Sequence, residues 1–343
     1  MNSSSATSSS SLERGLRVTV FGGSGFVGRH LVRRLAQAGA HVRIGVRDVD
    51  AALFLKPYGD VGQIVPLQVD VSDVNEVMTV VKNADIVVNL VGILYERGLR
   101  TFQRIHVDCA ANVAEAAARA GAKRFLHMSA LGADEGSSAI YSRTKKAGEE
   151  AVKKVFPKAT IFRPSVIFGP EDDFFNKFAG MTRILPVLPV MGAPLMPRIN
   201  LNGESIFYID WFGDGGCKFQ PVYVGDVAQA MYKTICKRNT LGETYSLGGP
   251  KVYSFKELME LVLRVTERKR ILIPIPTAIA SFQSLFLQML PKPMLTPDQV
   301  ALMEVDNILP DGEQGFEALD IQPTPVEAIL PTYLDRFRRT SRI

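Results

Sequence analysis

The stretch from Arg17 to Gly28 reads Arg-Val-Thr-Val-Phe-Gly-Gly-Ser-Gly-Phe-Val-Gly. Its first five residues form a short apolar, β-branched run without a breaker, which is typical of a buried parallel strand. The glycines follow with the spacing GxxGxxG, and the chain up to Gly39 then has apolar residues on one helical face and arginines on the other. A second apolar run, from His41 to Val46, comes next. The stretch therefore predicts one strand–turn–helix–strand unit.

Each glycine of this turn has a physical purpose in a nucleotide site. The first allows a tight turn, the second lets backbone N–H groups reach a pyrophosphate, and the third lets the helix pack close to the strand. The N-terminus of the helix adds partial positive charge for the phosphates. The alternative is a turn of the same shape that binds nothing. We predict a dinucleotide site that includes Gly22, Gly23, Ser24, Gly25, Phe26, Val27 and Gly28.

Length and composition restrict the class of protein. A chain of 343 residues with 46% hydrophobic and 22% charged residues is an ordinary globular protein of one or two domains. The net charge of +5 fits an anionic cofactor or an acidic partner and does not indicate nucleic acid. Cys109, Cys217 and Cys236 are scattered, so we expect reduced thiols and no metal site. Residues 1–15 are Ser-rich, and we expect a flexible tail or part of a targeting segment.

Strand and helix patterns alternate over residues 16–250, which indicates an α/β fold with a doubly wound parallel sheet of the Rossmann type. A proline-rich stretch at about 180–216 interrupts them and predicts a long loop or an inserted hairpin. Ser254 and Glu257 have the spacing of a capping box, and residues 251–343 are expected to form a smaller, mainly helical C-terminal lobe. In this lobe Thr277 to Leu290 has the pattern of an amphipathic helix, which packs on its own lobe or contacts a membrane or a partner.

Ligands in open α/β sheets bind at the carboxyl ends of the strands. Arg47 follows the second strand, where a guanidinium group suits the 2′-phosphate of NADP. Asp48 is an acidic residue of the type that NAD binders use there, so the preference for NADP depends on Arg47. We expect Asp70 and Val71 to lie beside the adenine. Leu90, Val91 and Gly92 follow the fourth strand and are expected to line the cofactor site.

A serine, a tyrosine and a lysine suggest proton chemistry in the second half of the sheet. Ser129 follows the fifth strand, and Tyr141 and Lys145 are four residues apart, on one face of a predicted helix. A lysine ammonium beside the phenol is expected to lower the pKa of Tyr141. Such a group can move a proton to or from a carbonyl oxygen. The alternative is a tyrosine and a lysine that simply face solvent.

With the glycine turn, these residues resemble the extended, atypical branch of the short-chain dehydrogenase/reductase family. Within that branch the chain is similar to the NADPH-binding accessory subunits of respiratory complex I and their alphaproteobacterial relatives. This similarity covers the chain from about Leu16 to Arg338. It is carried by five further segments, Asn89–Glu96, Phe168–Asn176, Phe219–Ala228, Leu290–Pro293 and Leu295–Val300.

The resemblance implies a bound NADPH, with Pro164 and Ile167 also in its site. It implies other complex I subunits as partners, on the matrix side of the mitochondrial inner membrane or on the cytoplasmic face of a bacterial inner membrane. The C-terminal lobe would make any contact with membrane lipid. Ser129, Tyr141 and Lys145 would then position the cofactor without turnover.

One departure from the wider family bears on catalysis. His106 stands where catalytic reductases of that family usually carry an asparagine of their proton relay. Two alternatives stay open at this point. One is a free NADP-dependent reductase or nucleotide-sugar epimerase that uses Tyr141 and Lys145, and the other is a redox-sensing regulator of the same fold.

Overall fold

The structure is a computed structural model that describes residue 13 and residues 15–194, 198–200, 208–291 and 293–338. The β-strands are β1 (Arg17–Phe21), β2 (His41–Val46), β3 (Ile64–Gln68), β4 (Ile86–Asn89), β5 (Arg124–Met128), β6 (Thr160–Pro164), β7 (Ile167–Phe168), β8 (Val187–Ala193), β9 (Arg198–Asn200), β10 (Tyr208–Asp210), β11 (Lys218–Phe219), β12 (Val222–Tyr223), β13 (Thr244–Leu247), β14 (Tyr253–Ser254) and β15 (Ile271–Pro276).

Helices connect most of these strands. The α-helices are α1 (Phe26–Gln37), α2 (Val74–Val81), α3 (Cys109–Arg119), α4 (Ile140–Val155), α5 (Phe174–Ile184), α6 (Val224–Cys236), α7 (Phe255–Thr266), α8 (Thr277–Leu287), α9 (Pro297–Leu302) and α10 (Val326–Leu334). Short 3₁₀ helices lie at Asp50–Tyr58, Arg238–Thr240, Glu317–Leu319 and Asp335–Phe337, and a π-helical turn covers Gln103–Asp108.

Seven parallel strands form the central sheet in the order β3-β2-β1-β4-β5-β6-β13. Val20 of β1 lies opposite Ile44 on one side and Val88 on the other, and all three side chains are buried. Helices α1 and α6 pack on one face of the sheet, and α2, α3 and α4 pack on the other. The prediction of a doubly wound Rossmann-type sheet is confirmed. Because the strand order reverses between β1 and β4, the turn after β1 opens into the crevice where such folds bind ligands.

The C-terminal lobe is built from two separate segments of the chain. Phe175 of α5 and Leu188 of β8 share a buried cluster with residues of α7 and α10. Strand β8 pairs in parallel with β15, so the lobe contains a small sheet besides its helices. The predicted capping box is present, since Ser254 Oγ accepts the N–H of Glu257 at 3.2 Å and Glu257 Oε2 accepts the N–H of Ser254 at 2.7 Å.

Part of the predicted inserted hairpin lies within the described residues. Strands β9 and β10 pair antiparallel, with Arg198 opposite Asp210, as expected for a hairpin. Residues 195–197 and 201–207 of this stretch lie outside the described residues. The predicted Ser-rich tail also lies outside them, except for residues 13 and 15.

The predicted helix from Thr277 forms as α8 and ends at Leu287. Its buried residues are Ala280 and Ser284, and of its large apolar side chains Leu287 packs on a small core cluster. None of the described helices is long and apolar enough to cross a bilayer. The outer surface of α8 and the residues after it form an apolar face, which consists of Ile279, Phe282, Leu285, Phe286, Met289 and Leu290, each at least 43% exposed.

Candidate cofactor cleft

At two positions of the turn after β1, the surrounding backbone leaves no room for any residue other than glycine. Gly22 has a φ of +76°, and a Cβ added there would lie 3.1 Å from the carbonyl oxygen of Leu90. A Cβ on Gly28 would lie only 2.3 Å from the carbonyl oxygen of Gly22. The middle glycine differs, because Gly25 is exposed and its Cβ would meet one described atom, the same oxygen, at 3.1 Å. The space beside Gly25 therefore belongs to the cleft.

The N-terminus of α1 points its free N–H groups into this cleft. Its N-cap residue is Gly25, no side chain caps it within the described chain, and its first turn has no acidic residue. The first N–H groups of a helix have no partner inside the helix, and they carry the positive end of its dipole. This terminus has the features of a pyrophosphate site.

The carboxyl end of β2 leaves Arg47 free for an anion. Its side chain is exposed, and no described carboxylate lies within ion-pair distance of it. Asp48 does not compete for it, because Asp48 Oδ1 accepts the N–H of Ala51 at 3.2 Å. The guanidinium group of Arg47 is therefore available to bind an anion, whereas the carboxylate of Asp48 is hydrogen-bonded within the chain.

Asp70 follows β3 at the same edge of the sheet. Its Oδ1 accepts hydrogen bonds from the N–H and the hydroxyl of Ser72, at 2.9 and 2.8 Å. These bonds, and next the charges of Arg104 and Arg47, hold the pKa of Asp70 below its usual value. Val71 is buried in the core cluster beneath the sheet edge, whereas Leu90 and Val91 are half-buried and Gly92 is exposed.

Ser129, Tyr141 and Lys145 converge at the ends of β4 and β5. Lys145 is buried and its Nζ donates to the carbonyl oxygen of Met128 at 3.2 Å. The same Nζ lies 5.8 Å from the ring centroid of Tyr141 and 3.3 Å from where a Cβ on Gly92 would be. The hydroxyl of Ser129 is buried and has no hydrogen-bond partner among the described residues. An unpaired buried hydroxyl is costly, so it fits a site that a ligand completes.

The pKa values at this end of the cleft follow mainly from burial. Burial raises the pKa of Tyr141 to about 12, and the negative charge of Asp298 adds to the shift. The prediction that Lys145 lowers the pKa of Tyr141 is wrong, because the ammonium lies over the ring and is itself desolvated. Burial lowers the pKa of Lys145 to about 8. The phenol is therefore a neutral donor at physiological pH.

His106 is fixed by its hydrogen bonds in the π-helical turn. Thr144 Oγ1 donates within α4 to the carbonyl oxygen of Ile140 at 2.9 Å, so it accepts from His106 Nδ1 at 3.1 Å. His106 Nε2 lies 3.2 Å from both the nitrogen and the oxygen of Ile93, and in the neutral ring it accepts from the nitrogen. Burial, together with the charge of Lys145, lowers the pKa of His106 to about 2. Both ring nitrogens are thus used inside the chain.

The sequence assigned no role in the site to two buried polar residues beside this group. Asn89 Oδ1 accepts the N–H of Val91 at 3.1 Å, which directs its amide nitrogen to His127 Nδ1 at 3.3 Å. The proton of His127 then lies on Nε2, which has no partner among the described residues. Asn89 ends β4, so the rule about strand ends could have found it. His127 lies within a buried apolar strand pattern, where nothing distinguishes it.

Pro164 belongs to the central sheet, whereas Ile167 lies in β7 of a separate two-stranded sheet. Pro164 is the last residue of β6 and is buried, and its carbonyl oxygen accepts the N–H of Leu131 at 2.9 Å. Ile167 is half-buried and pairs with Val222. The structure thus places most of the predicted site residues at the carboxyl ends of the central strands, with Tyr141 and Lys145 beside them on α4. Val71 lies in the core, and Ile167 lies outside the central sheet.

The strand order, the glycine turn and the uncapped helix terminus together define a Rossmann-type dinucleotide-binding protein. Residues 18–248 match the model of the NAD dependent epimerase/dehydratase family, and the chain belongs to that family.

Two similar proteins within this family are subunits of a respiratory enzyme, by their names. The chain is 33% identical over 315 residues to the NADH dehydrogenase (ubiquinone) 1 alpha subcomplex subunit 9, mitochondrial, of Mus musculus, over 91% of this chain and 78% of that protein. It is 31% identical over 325 residues to the NADH-ubiquinone oxidoreductase 40 kDa subunit, mitochondrial, of Neurospora crassa, over 94% and 80%. The UDP-glucose 4-epimerase of Thermus thermophilus, solved with NAD, shares the fold with a TM-score of 0.67 at 20% identity, over 95% of this chain and all of that one.

Proposed function

We propose that this protein is an accessory subunit of respiratory complex I that holds NADPH and has no turnover of its own. The relatives that cover most of its length are named as subunits of NADH–ubiquinone oxidoreductase. The names of both relatives also contain the word "mitochondrial". This supports a position of the present protein at the mitochondrial inner membrane, on the matrix side. The observation that carries the proposal is a cleft with the features of a dinucleotide site beside His106, whose two ring nitrogens are both hydrogen-bonded inside the chain.

The described residues fit NADPH in three places. The glycine turn and the N-terminus of α1 would hold the pyrophosphate, and Arg47 would pair with the 2′-phosphate. Tyr141 and Lys145 would donate hydrogen bonds to the ribose at the nicotinamide end. Bound NADPH supplies a hydride donor, but its effect on this chain is also structural. A ligand that binds only the folded state at about 100 times its Kd stabilises that state by about 2.7 kcal/mol.

The state of His106 supports a site without turnover. A proton relay needs a group that can release one proton and accept the next. His106 is neutral, buried and bonded at both nitrogens, so it cannot pass a proton without breaking contacts to Ile93 or Thr144. Tyr141 also holds its proton firmly, with a pKa of about 12.

The apolar face of α8 supports a peripheral contact by the C-terminal lobe. Phe282 and Phe286 are 64% and 62% exposed and contact each other edge to face, with ring centroids 5.4 Å apart. Apolar side chains clustered on one helical surface are typical of an interface with lipid or with a partner. A single short helix gives weak, reversible attachment, so the other subunits would have to keep this one at the membrane.

Native electrophoresis of membranes from the source cells tests the proposal. We expect the protein to co-migrate with a large membrane complex and to release NADPH on denaturation. A small soluble species with reductase or epimerase activity that Tyr141→Phe abolishes would contradict it and support a free enzyme.

The choice of NADPH over NADH is tested by titration calorimetry on the purified chain. Arg47→Asp should weaken NADPH by the value of a charge-assisted contact, roughly 1.5–3 kcal/mol, and should change NADH little. Arg119→Asp is the control for charge, because Arg119 lies on α3 and pairs with Glu115. Equal affinity of the unmodified protein for the two cofactors would contradict this assignment.

A further inference from the structure

The helix that carries Tyr141 is capped by a residue of the C-terminal lobe. Ala139 precedes α4 and has no capping side chain. Instead, the carboxylate of Asp298 accepts the N–H of Ile140 at 2.6 Å and the N–H of Tyr141 at 3.1 Å. One carboxylate thus satisfies two of the N–H groups that a helix leaves unpaired at its start, and its charge complements the helix dipole.

Asp298 itself is held rigidly. It is the second residue of α9, which begins with a proline and a capping box between Thr296 and Gln299, with both hydrogen bonds at 3.2 Å. Leu295 and Val300 pack on Ala280 of α8 in a small buried cluster. The carboxylate can therefore move only with α8 and α9, and the apolar face of α8 belongs to the same unit.

We propose that Asp298 is a positioning residue, through which the C-terminal lobe fixes Tyr141 in the cofactor cleft. The contact places the first turn of α4, and with it the phenol, at the nicotinamide end. Coupling between two binding events is reciprocal, so a lobe that is well docked on α4 favours the cofactor, and a bound cofactor favours docking of the lobe. The cofactor part of this inference rests on the proposed function, whereas the contact with Tyr141 does not.

The charge of Asp298 also acts on the phenol directly. It is the second cause, after burial, of the raised pKa of Tyr141. The other polar groups around the ring are the ammonium of Lys145 and the neutral imidazole of His106, whose centroid lies 5.3 Å from that of Tyr141. The carboxylate therefore helps to keep the hydroxyl protonated as a hydrogen-bond donor.

The test uses the full chain with Asp298→Ala, Asp298→Asn and the control Asp306→Ala. Asp306 belongs to the same lobe, and its Oδ1 accepts the N–H of Lys218 at 2.8 Å rather than any group of α4. Two quantities are measured. One is the Kd for NADPH by calorimetry, and the other is the pKa of Tyr141 by NMR of ¹³Cζ-labelled tyrosine, with the signal assigned from Tyr141→Phe.

We expect Asp298→Ala to weaken NADPH about tenfold or more and to lower the pKa of Tyr141. Asp298→Asn should restore only part of the affinity, because its single amide oxygen can accept from only one of the two N–H groups, and the pKa should stay lowered because the charge is gone. Asp306→Ala should leave both quantities unchanged. This split is not expected of a residue that only stabilises the fold.

Two results would overturn the inference. One is an Asp298→Ala protein with unchanged affinity and an unchanged Tyr141 titration. The other is an equal loss of affinity in Asp298→Ala and Asp306→Ala, which would mean a general effect of the lobe. A wild-type chain that does not bind NADPH would instead refute the proposed function, and the Tyr141 titration would still decide whether Asp298 acts on the phenol.

Discussion

Two alanine substitutions in one turn should separate folding from cofactor binding. Gly28→Ala adds a Cβ at 2.3 Å from the carbonyl oxygen of Gly22 and 2.6 Å from the Cα of Gly23. Both neighbours are backbone atoms, so α1 must move away from β1. Gly25→Ala adds a Cβ 3.1 Å from one oxygen, at an extended backbone conformation that alanine adopts freely.

The expected magnitudes follow from these distances. Overpacking of a tight contact costs about 1–3 kcal/mol, and Gly28→Ala should lie at the upper end because no flexible side chain can yield. With about 2–4 °C of melting temperature per kcal/mol in a large domain, we expect Tm to fall by at least about 4 °C. Gly25→Ala should change Tm by less than about 2 °C, but its methyl group occupies the space for the pyrophosphate. Its affinity for NADPH should therefore fall about tenfold or more.

Thermal melting with and without NADPH, together with calorimetry, measures both effects. The Tm of the unmodified protein should rise when NADPH is added. Gly28→Ala should have a lower Tm than the unmodified protein both with and without NADPH. Gly25→Ala should have the normal Tm without NADPH but should lack the rise in Tm when NADPH is added. A Gly28→Ala protein with the Tm of the unmodified one would show that α1 and the turn after β1 have room for a methyl group between them. A Gly25→Ala protein with normal affinity would show that the cofactor does not lie over this turn.

Three further predictions concern His106, the apolar face of α8 and Tyr141. His106 is buried with its pKa near 2, so below its usual pKa of about 6.5 only the unfolded chain gains a proton there, and stability is lost as pH falls. Between pH 6.5 and pH 4 the free energy of unfolding should fall by about 1.4 kcal/mol per pH unit because of this proton. Urea unfolding at several pH values should therefore show a smaller loss of stability with falling pH for His106→Asn than for the unmodified protein. Equal losses in the two proteins would contradict this prediction. Phe282→Ser with Phe286→Ser should leave Tm unchanged but abolish recovery with the membrane complex, and a large drop in Tm would instead mean that this face is core. Tyr141→Phe removes one hydrogen bond to the cofactor and should weaken NADPH by about 1 kcal/mol, less than the tenfold or more expected of Asp298→Ala, so the protein should still retain cofactor and assemble, as judged by native electrophoresis.

The features that the sequence predicted well depend on local patterns. The alternation of strands and helices predicted for residues 16–250 builds the central sheet and its helices, and the capping box at Ser254 is present. The glycine turn was also predictable, because its spacing encodes its own geometry. In these places the information lies within a few residues of chain.

The features that the sequence did not predict depend on contacts between distant segments. One such feature is the π-helical turn at Gln103–Asp108, where α4 approaches so closely that a Cβ on Gly148 would lie 2.1 Å from the carbonyl oxygen of His106. Strand β15 contains Pro274 and Pro276, which a two-stranded sheet tolerates but a pattern search does not expect. Asp298 lies 157 residues from Tyr141, so no local signal could connect them.

The pairing of β8 with β15 has a consequence for synthesis of the chain. Strand β8 leaves the ribosome about 80 residues before its partner, and a growing chain that has not reached Ile271 leaves this strand edge unpaired. The lobe therefore takes shape only after β15 has been synthesised, when all the strands of the nucleotide-binding sheet have already been made. A partner that binds this lobe would therefore distinguish chains that contain both segments from chains that stop before β15.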